Sequence, residues 1–391
     1  MTPAAQTLQH WLLTDGRNFH TMEDLLDQFT QQLRKHAPVD RIWAGTKVLH
    51  PQTAAWLWIW EHGKPIFRRE LSYTLFAELR QDDTPVRRLE LGAPHIRLCA
   101  TSTDIPEDSV SLFRDRGYTD LFGLSFTLRG RWAGAVTWAT RATQGFSPEH
   151  IALFRAIMPA VSASMEPLAA DLVTGALLRT YLGRDPGNRV HQGAVKRGDG
   201  TTQRAVLWFS DIRGFVRLSS TLDRDGLLEL LNQTFEISVD ALEPRGGEVL
   251  KFLGDGLLAM FPVADSDPTG RRACEAAYNA FVDFSERLRL LGVERAARGL
   301  VVADVTVGLH FGDVSYGNIG APNRLDFTVI GPAVNLASRV ESLCDTVGET
   351  ILATETFVQN HGGAWAPRGS HEVKGIDEPV VVYSPVAELA D

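Results

Sequence analysis

The apolar positions along the chain follow two periods. In "TMEDLLDQFTQQLRKH", Leu25, Leu26, Phe29 and Leu33 recur at helical spacing behind Thr21, whose hydroxyl suits a helix N-cap. "AAWLWIWEHGKPIF" switches to period two, placing Trp56, Trp58 and Trp60 on one strand face with a His-Gly turn behind them. "GLSFTLRGRWAGAVTWAT" repeats that alternation on both sides of Arg129-Gly130-Arg131 and predicts a hairpin. "SPEHIALFRAIMPAVSASMEPLAADLVTGALLRTYL" is a long helical tract with a Ser-Pro start, expected to be interrupted at Pro159 and Pro167.

Between Arg179 and Arg204 the pattern lapses. "RTYLGRDPGNRVHQGAVKRGDGTTQR" is rich in glycine and basic residues and nearly devoid of large apolar groups, as in a linker or mobile loop. Order then resumes. "RAVLWFSDI" is a continuous apolar run, the mark of a strand covered on both faces. "LDRDGLLELLNQTFEISVDALEPRGG" predicts an amphipathic helix closed by Gly-Gly. "GEVLKFLGDGLLAMF" is a hairpin around Gly254-Asp255-Gly256, and "PTGRRACEAAYNAFVDFSERLRLLG" a second helix. "ADVTVGLHFGDVSYGNIG" reads as two strands around Gly312-Asp313. The helix "GPAVNLASRVESLCDTVG" follows, then "TILATE" and a strand pair near "HEVKGIDEPVVVYSP". This βαββαβ order with additions predicts an α+β, ferredoxin-like unit whose antiparallel-rich sheet carries helices on one face.

Composition narrows the class. The 391 residues allow roughly two domains, and 44% hydrophobic with 22% charged residues is the mix of a globular protein. No stretch holds the roughly 18 uninterrupted apolar residues of a membrane span. "MTPAAQTLQHWLL" lacks the features of a secretory signal. Cys99, Cys274 and Cys344 lie far apart in apolar settings, expected as reduced core residues of a cytoplasmic protein. A net charge of −9 argues against general nucleic-acid binding.

The candidate chemistry begins with two acids. Asp211 ends the apolar strand and Asp255 sits at the hairpin tip. In a ferredoxin-like unit the first strand lies beside the hairpin, so the two carboxylates can meet at one sheet edge. Unneutralised, they repel each other; a hard divalent cation relieves that repulsion and can join them to substrate phosphates. A helix cap at Asp211 and a plain turn at Asp255 are the alternative.

Together, "FSDIRGF", "KFLGDGLLAMF" and "FTVIGPAVNLASRVE" resemble the catalytic domain of class III adenylate and guanylate cyclases, from about Ala205 to Tyr383. The resemblance implies that Asp211, Asp255 and the backbone carbonyl of Ile212 hold two Mg²⁺ ions per site, with Mn²⁺ able to substitute. It implies that Lys251 and Thr328 select the purine. A donor-only ammonium suits adenine N1 and a hydroxyl can accept from N6, whereas guanine reverses both needs. ATP is therefore the expected substrate. Many adenylate cyclases carry aspartate at the Thr328 position, and Asp326 nearby is a lesser alternative. Asn335 and Arg339 lie four residues apart, away from the apolar stripe of Ala333, Leu336, Ala337, Val340, Leu343 and Cys344. The resemblance assigns Asn335 to the ribose, Arg339 to the charge developing on the α-phosphate, and Lys374 in "VKGIDEP" to the β- and γ-phosphates. It implies cyclisation of ATP to cyclic AMP and pyrophosphate in a homodimer, each composite site taking its metals from one subunit and its remaining groups from the other. No Walker-type loop is present in the sequence.

Residues 1–168 look like a GAF-type sensory domain binding an unknown small-molecule effector, 169–204 a helical and Gly/basic linker, and 205–391 the cyclase domain. Trp56, Trp58 and Trp60 could line a ligand pocket, although one packed sheet face is the commoner use of such a stripe. His50, His62 and His95 are isolated and suggest no haem or metal site. Rival functions are a guanylate or mixed-specificity cyclase, and a catalytically silent, nucleotide-binding homologue.

Overall fold

The computed structural model describes residues 1–79, 84–99, 115–128 and 130–386. The chain divides into two compact units, Met1–Leu177 and Leu178–Asp391.

In the first unit, α1 (Pro3–Leu13) and α2 (Met22–Leu33) precede β1 (Arg41–Lys47), β2 (Thr53–Glu61) and β3 (Phe67–Ser72). Next come α3 (Tyr73–Leu79), α4 (Pro85–Glu90), β4 (Ile96–Cys99), β5 (Asp120–Leu128), β6 (Arg131–Thr140) and α5 (Pro148–Leu182). The strands form one sheet, ordered β3-β2-β1-β6-β5-β4, with every pairing antiparallel. Thr21 caps α2 as expected, accepting from the Asp24 amide at 3.1 Å. The β5–β6 hairpin forms, with Leu128 paired to Arg131; Arg129 at its tip lies outside the described residues.

Trp56, Trp58 and Trp60 are buried in one core with Leu25 and Phe29 of α2 and Phe154 and Ile157 of α5. Two of the indoles donate into α2, from Trp58 to Glu23 at 3.0 Å and from Trp60 to Asp27 at 2.9 Å. The tryptophan stripe is thus a packed sheet face and no open pocket. The tract from Pro148 is one continuous helix through Pro159 and Pro167, where interruptions were expected. By length and composition α5 is apolar enough to cross a membrane. Leu153, Phe154, Ile157, Met158, Val161 and Met165 spend that apolarity on the core of the first unit.

The second unit places α6 (Arg184–His191) before β7 (Gly200–Ile212), α7 (Phe215–Thr221) and α8 (Arg224–Leu242). The hairpin β8 (Glu248–Leu253) and β9 (Gly256–Pro262) leads to α9 (Arg271–Ala297), then β10 (Val305–Ala321) and β11 (Arg324–Ile330). After α10 (Pro332–Val347) the unit closes with β12 (Ile351–Thr354), α11 (Glu355–His361), β13 (Trp365–His371) and β14 (Val380–Pro385). The sheet order is β13-β14-β12-β10-β7-β9-β8, with β11 paired to β10. All these pairings are antiparallel except β10–β12.

Three expectations need correction. "VTVGLHFGDVSYGNIGA" is one strand, not two, because its register against β7 runs unbroken from Val305–Ile212 to Gly317–Gly200; Gly312-Asp313 makes no turn. Helices cover both faces of the sheet. Val206 and Trp208 pack towards α8, α9 and α11, while Ala205 and Leu207 lie in the cluster that takes in Ala333 and Ala337 of α10. Cover on both faces is why "AVLWF" is apolar at every position.

The segment expected to be a linker or mobile loop is folded into the second unit. Arg184 forks onto Glu248 Oε1 at 2.9 Å, the Asp185 amide donates to Glu248 Oε2, and Tyr316 donates to Asp185 at 2.8 Å. Asn318 donates to the Ala194 carbonyl at 2.8 Å. Polar side chains hold this stretch, so its lack of apolar residues concealed its structure.

Candidate active site

Asp211 stands near the end of β7, and across the β7–β10 ladder its register partner is Thr306. Asp255 belongs to the two-residue turn between Leu253 and Gly256. Gly254 takes φ +73°, a left-handed turn conformation that favours glycine. Gly256 serves closeness instead: a Cβ there would lie 2.2 Å from the Ser210 carbonyl and 2.8 Å from Asp211 Oδ1. The two glycines therefore fold the turn down onto β7, and the acid between them arrives beside Asp211.

Both carboxylates and Ile212 line one cavity of about 350 Å³, together with Arg213, Gly214, Phe215, Val216, Thr306, Glu341, Ser342 and Asp345. Burial, Asp255 and Glu341 push the Asp211 carboxyl up to about 7. Burial also raises Glu341, with Asp345 and Asp255 adding to it. The loop after β7 is pinned by Arg213, which donates to Asp345 at 2.6 Å, to Asp304 at 2.8 Å and to the Glu349 carbonyl at 3.0 Å.

The donor set fits a hard cation: two converging carboxylates and a nearby main-chain carbonyl, all oxygen, with one carboxyl reluctant to ionise beside its neighbours. Among the described residues no group of three or more His, Cys, Asp or Glu could hold an ion by itself.

The two residues expected to select the purine lie elsewhere. Lys251 on β8 lies 3.5 Å from Asp326 on β11. Thr328, two residues further along β11, is buried, and its hydroxyl has no hydrogen-bond partner. A buried hydroxyl without a partner is costly in a finished core and useful where a ligand completes it. Asn335 and Arg339 are exposed one turn apart on α10, and Lys374 is exposed between β13 and β14. Lys251, Thr328, Asn335, Arg339 and Lys374 are all missing from the lining of the Asp211 cavity.

Sequence reasoning passed over Glu341, Thr306 and Asp345. A signal for Glu341 existed: it follows Ala333 and Ala337 at four-residue intervals, which places an acid in line with the buried stripe of α10.

Residues 199–384 match the family described as the adenylate and guanylate cyclase catalytic domain. The second unit carries a cyclase catalytic domain. The cyclase unit is similar to an adenylate cyclase of Anabaena cylindrica, 31% identical over 201 residues that cover 48% of this chain and 38% of that protein. It is also similar to adenylate cyclase 1 of Rhizobium meliloti, 28% identical over 188 residues, covering 47% of this chain and 28% of that one. The chain thus spans well under half the length of these relatives. Among solved structures, the adenylyl cyclase CyaB from P. aeruginosa is 29% identical, covering 49% of this chain and 98% of that one with a TM-score of 0.45.

Proposed function

We propose that the chain is an adenylate cyclase that converts ATP to cyclic AMP and pyrophosphate as a homodimer with composite sites, under the control of its N-terminal unit. The observation that carries the reading is the cavity in which Asp211 and Asp255 converge with the Asp211 carboxyl held high, the behaviour of a carboxylate pair built for a cation.

Asp211, Asp255 and the Ile212 carbonyl would hold two divalent ions, Mg²⁺ or Mn²⁺. Bound there, such ions favour ionisation of the 3′-hydroxyl and neutralise charge on the phosphates. Lys251 donates to adenine N1 and Thr328 accepts from the N6 amine. Asn335 orients the ribose. Arg339, planar and always charged, meets the charge that builds on the α-phosphate, and Lys374 meets the β- and γ-phosphates. The separation of these five side chains from the Asp211 cavity supports a second copy of the chain as their source.

A GAF-like sensory role for the first unit is supported by its antiparallel sheet with helices packed on the tryptophan face. A mixed-specificity cyclase is the second reading. The Thr328 hydroxyl both donates and accepts, so it rejects guanine less firmly than a carboxylate would. Turnover of ATP and GTP by the full chain with Mg²⁺ and with Mn²⁺ tests both. Cyclic AMP as the main product, lost in Asp255→Ala, supports the first reading. Equal turnover of GTP supports the second, and no product from either nucleotide overturns both.

A further inference from the structure

We infer that Glu341 is a positioning residue of the metal half-site: through Thr306 it fixes the part of β7 that presents Asp211, and through its own backbone it registers α10 against β10. The buried Thr306 hydroxyl donates to Glu341 Oε1 at 2.5 Å and lies 3.3 Å from the Asp211 carbonyl oxygen. Thr306 is also the residue directly opposite Asp211 in the ladder. Thr306 therefore links the two: its side chain donates to an acid on α10, and its place in the ladder pairs it with the main chain of a metal-holding residue.

The helix side of the link is equally constrained. A Cβ on Gly308, two residues beyond Thr306, would lie 2.4 Å from the Glu341 amide nitrogen and 2.7 Å from its Cα. The helix backbone thus rests on the strand at Glu341, and Gly308 leaves the space for it. Arg339, two residues earlier, projects from the exposed side of the same helix. A shift of α10 that moved Arg339 would pull on Glu341, Thr306 and the main chain at Asp211 in turn. In a dimer with composite sites, Glu341 would then serve its own subunit's metals while Arg339 reached the other site, so the two sites would share one rigid helix. The inference rests on the cyclase reading for the identity of the ligand, a divalent cation.

Partners of this kind orient metal-holding groups, and their loss typically weakens metal affinity about 10- to 100-fold. The test is binding of Mn²⁺ alone to the full chain without nucleotide, followed by loss of the free-ion electron paramagnetic resonance signal. Asp211→Ala serves as the control. Expected results are roughly tenfold weaker binding in Thr306→Val and Glu341→Ala, and recovery in Thr306→Ser, by the same reasoning. A smaller loss is expected in Glu341→Gln, which can still accept from Thr306. In cyclase assays the same variants should raise the Mn²⁺ concentration needed for half-maximal activity.

Should Glu341→Ala fail to show a cooperative melt, the Thr306→Val and Thr306→Ser pair decides. Mn²⁺ affinity unchanged in Thr306→Val overturns the inference. So does a Glu341→Gln as weak as Glu341→Ala with Thr306→Val intact, because charge rather than position would then be acting. Either result would leave the cyclase reading standing if Asp211→Ala still abolishes binding. A wild-type chain that binds no Mn²⁺ without nucleotide overturns this inference alone, because the ion would then need substrate phosphates; an Asp211→Ala that binds it normally overturns both.

Discussion

Lys251 on β8 reaches Asp326 on β11 across 3.5 Å, and Thr328, two residues along β11, keeps a buried hydroxyl without a partner. The ammonium is therefore held against β11, two residues from the buried Thr328. An ammonium beside adenine N1 stabilises ATP, whereas a carboxylate at the same place would accept from guanine N1–H. Lys251→Glu is expected to lower kcat/KM for ATP by about 100-fold or more and to move the ATP-to-GTP ratio towards GTP, since an unpaired buried polar group on the base costs several kcal/mol. Steady-state kinetics with both nucleotides check this. An unchanged ratio would remove Lys251 from base selection.

The proposed composite sites make a quantitative forecast. Asp211→Ala and Arg339→Ala should each lose activity by roughly 100-fold or more, from loss of metal and of transition-state charge stabilisation respectively. Mixed in equal amounts and allowed to exchange subunits, half of the dimers become heterodimers with one intact site, so about a quarter of wild-type activity should return. Mass-resolved heterodimers that stay inactive would exclude sites shared between subunits.

Much of this site was legible in the chain, for reasons that differ from residue to residue. Asp211 and Asp255 could be placed together because a strand end and a hairpin tip are fixed by period-two alternation and a Gly-Asp-Gly turn. Asn335 and Arg339 share an exposed face because helical spacing dictates it. Glu341 and Thr306 were not legible as a pair, since they meet only through tertiary packing of α10 on β10. The second covered face of the sheet was hinted at by the unbroken apolar run of β7, yet strand-helix order alone could not say which helix lies on which side. The segment from Arg184 to Arg204 was misread because hydrogen bonds and ion pairs, with little apolar burial beyond Val190 and Pro186, attach it.

That attachment bears on where the cyclase unit can be cut. A fragment starting at Ala205 would lose the first five residues of β7, which pair with Asp313–Gly317, and the Arg184, Asp185 and Asn188 helix along with them. It would also remove the partners of Glu248 and Tyr316. A fragment starting at Leu178 keeps them. Thermal melts should place the Leu178 fragment several degrees above the Ala205 fragment; equal melting points would mean that the α6 contacts contribute nothing to stability.

The two glycines flanking Asp255 should fail in different ways. Gly254→Ala places a side chain at φ +73° in open space, so strain of about 1–3 kcal/mol appears as lost stability. Gly256→Ala drives a methyl group into the Ser210 carbonyl and Asp211 Oδ1, so the turn must lift off β7 and carry Asp255 away. The expected result is a Mn²⁺ affinity lowered by about tenfold or more in Gly256→Ala, and one near wild type in Gly254→Ala once folded. The reverse order would mean that the turn's closeness to β7 does not set the metal half-site.

His310 gives the cyclase unit a pH dependence of known sign. Burial within the sheet lowers its imidazole from 6.5 to about 4, and Nδ1 sits 2.9 Å from the Thr354 hydroxyl. Between those two values the unfolded chain binds a proton that the folded chain refuses, so stability rises with pH across the interval. The contribution is complete above about pH 6.5 and is lost as pH falls through about 4. At 1.36 kcal/mol per unit, its full size is about 3 kcal/mol. A neutral side chain that keeps a hydrogen-bonding tip removes the proton without emptying the site, so His310→Gln should flatten the urea-midpoint profile between pH 7.5 and 4.5. Wild-type and His310→Gln profiles that fall in parallel would show that this imidazole does not govern acid unfolding.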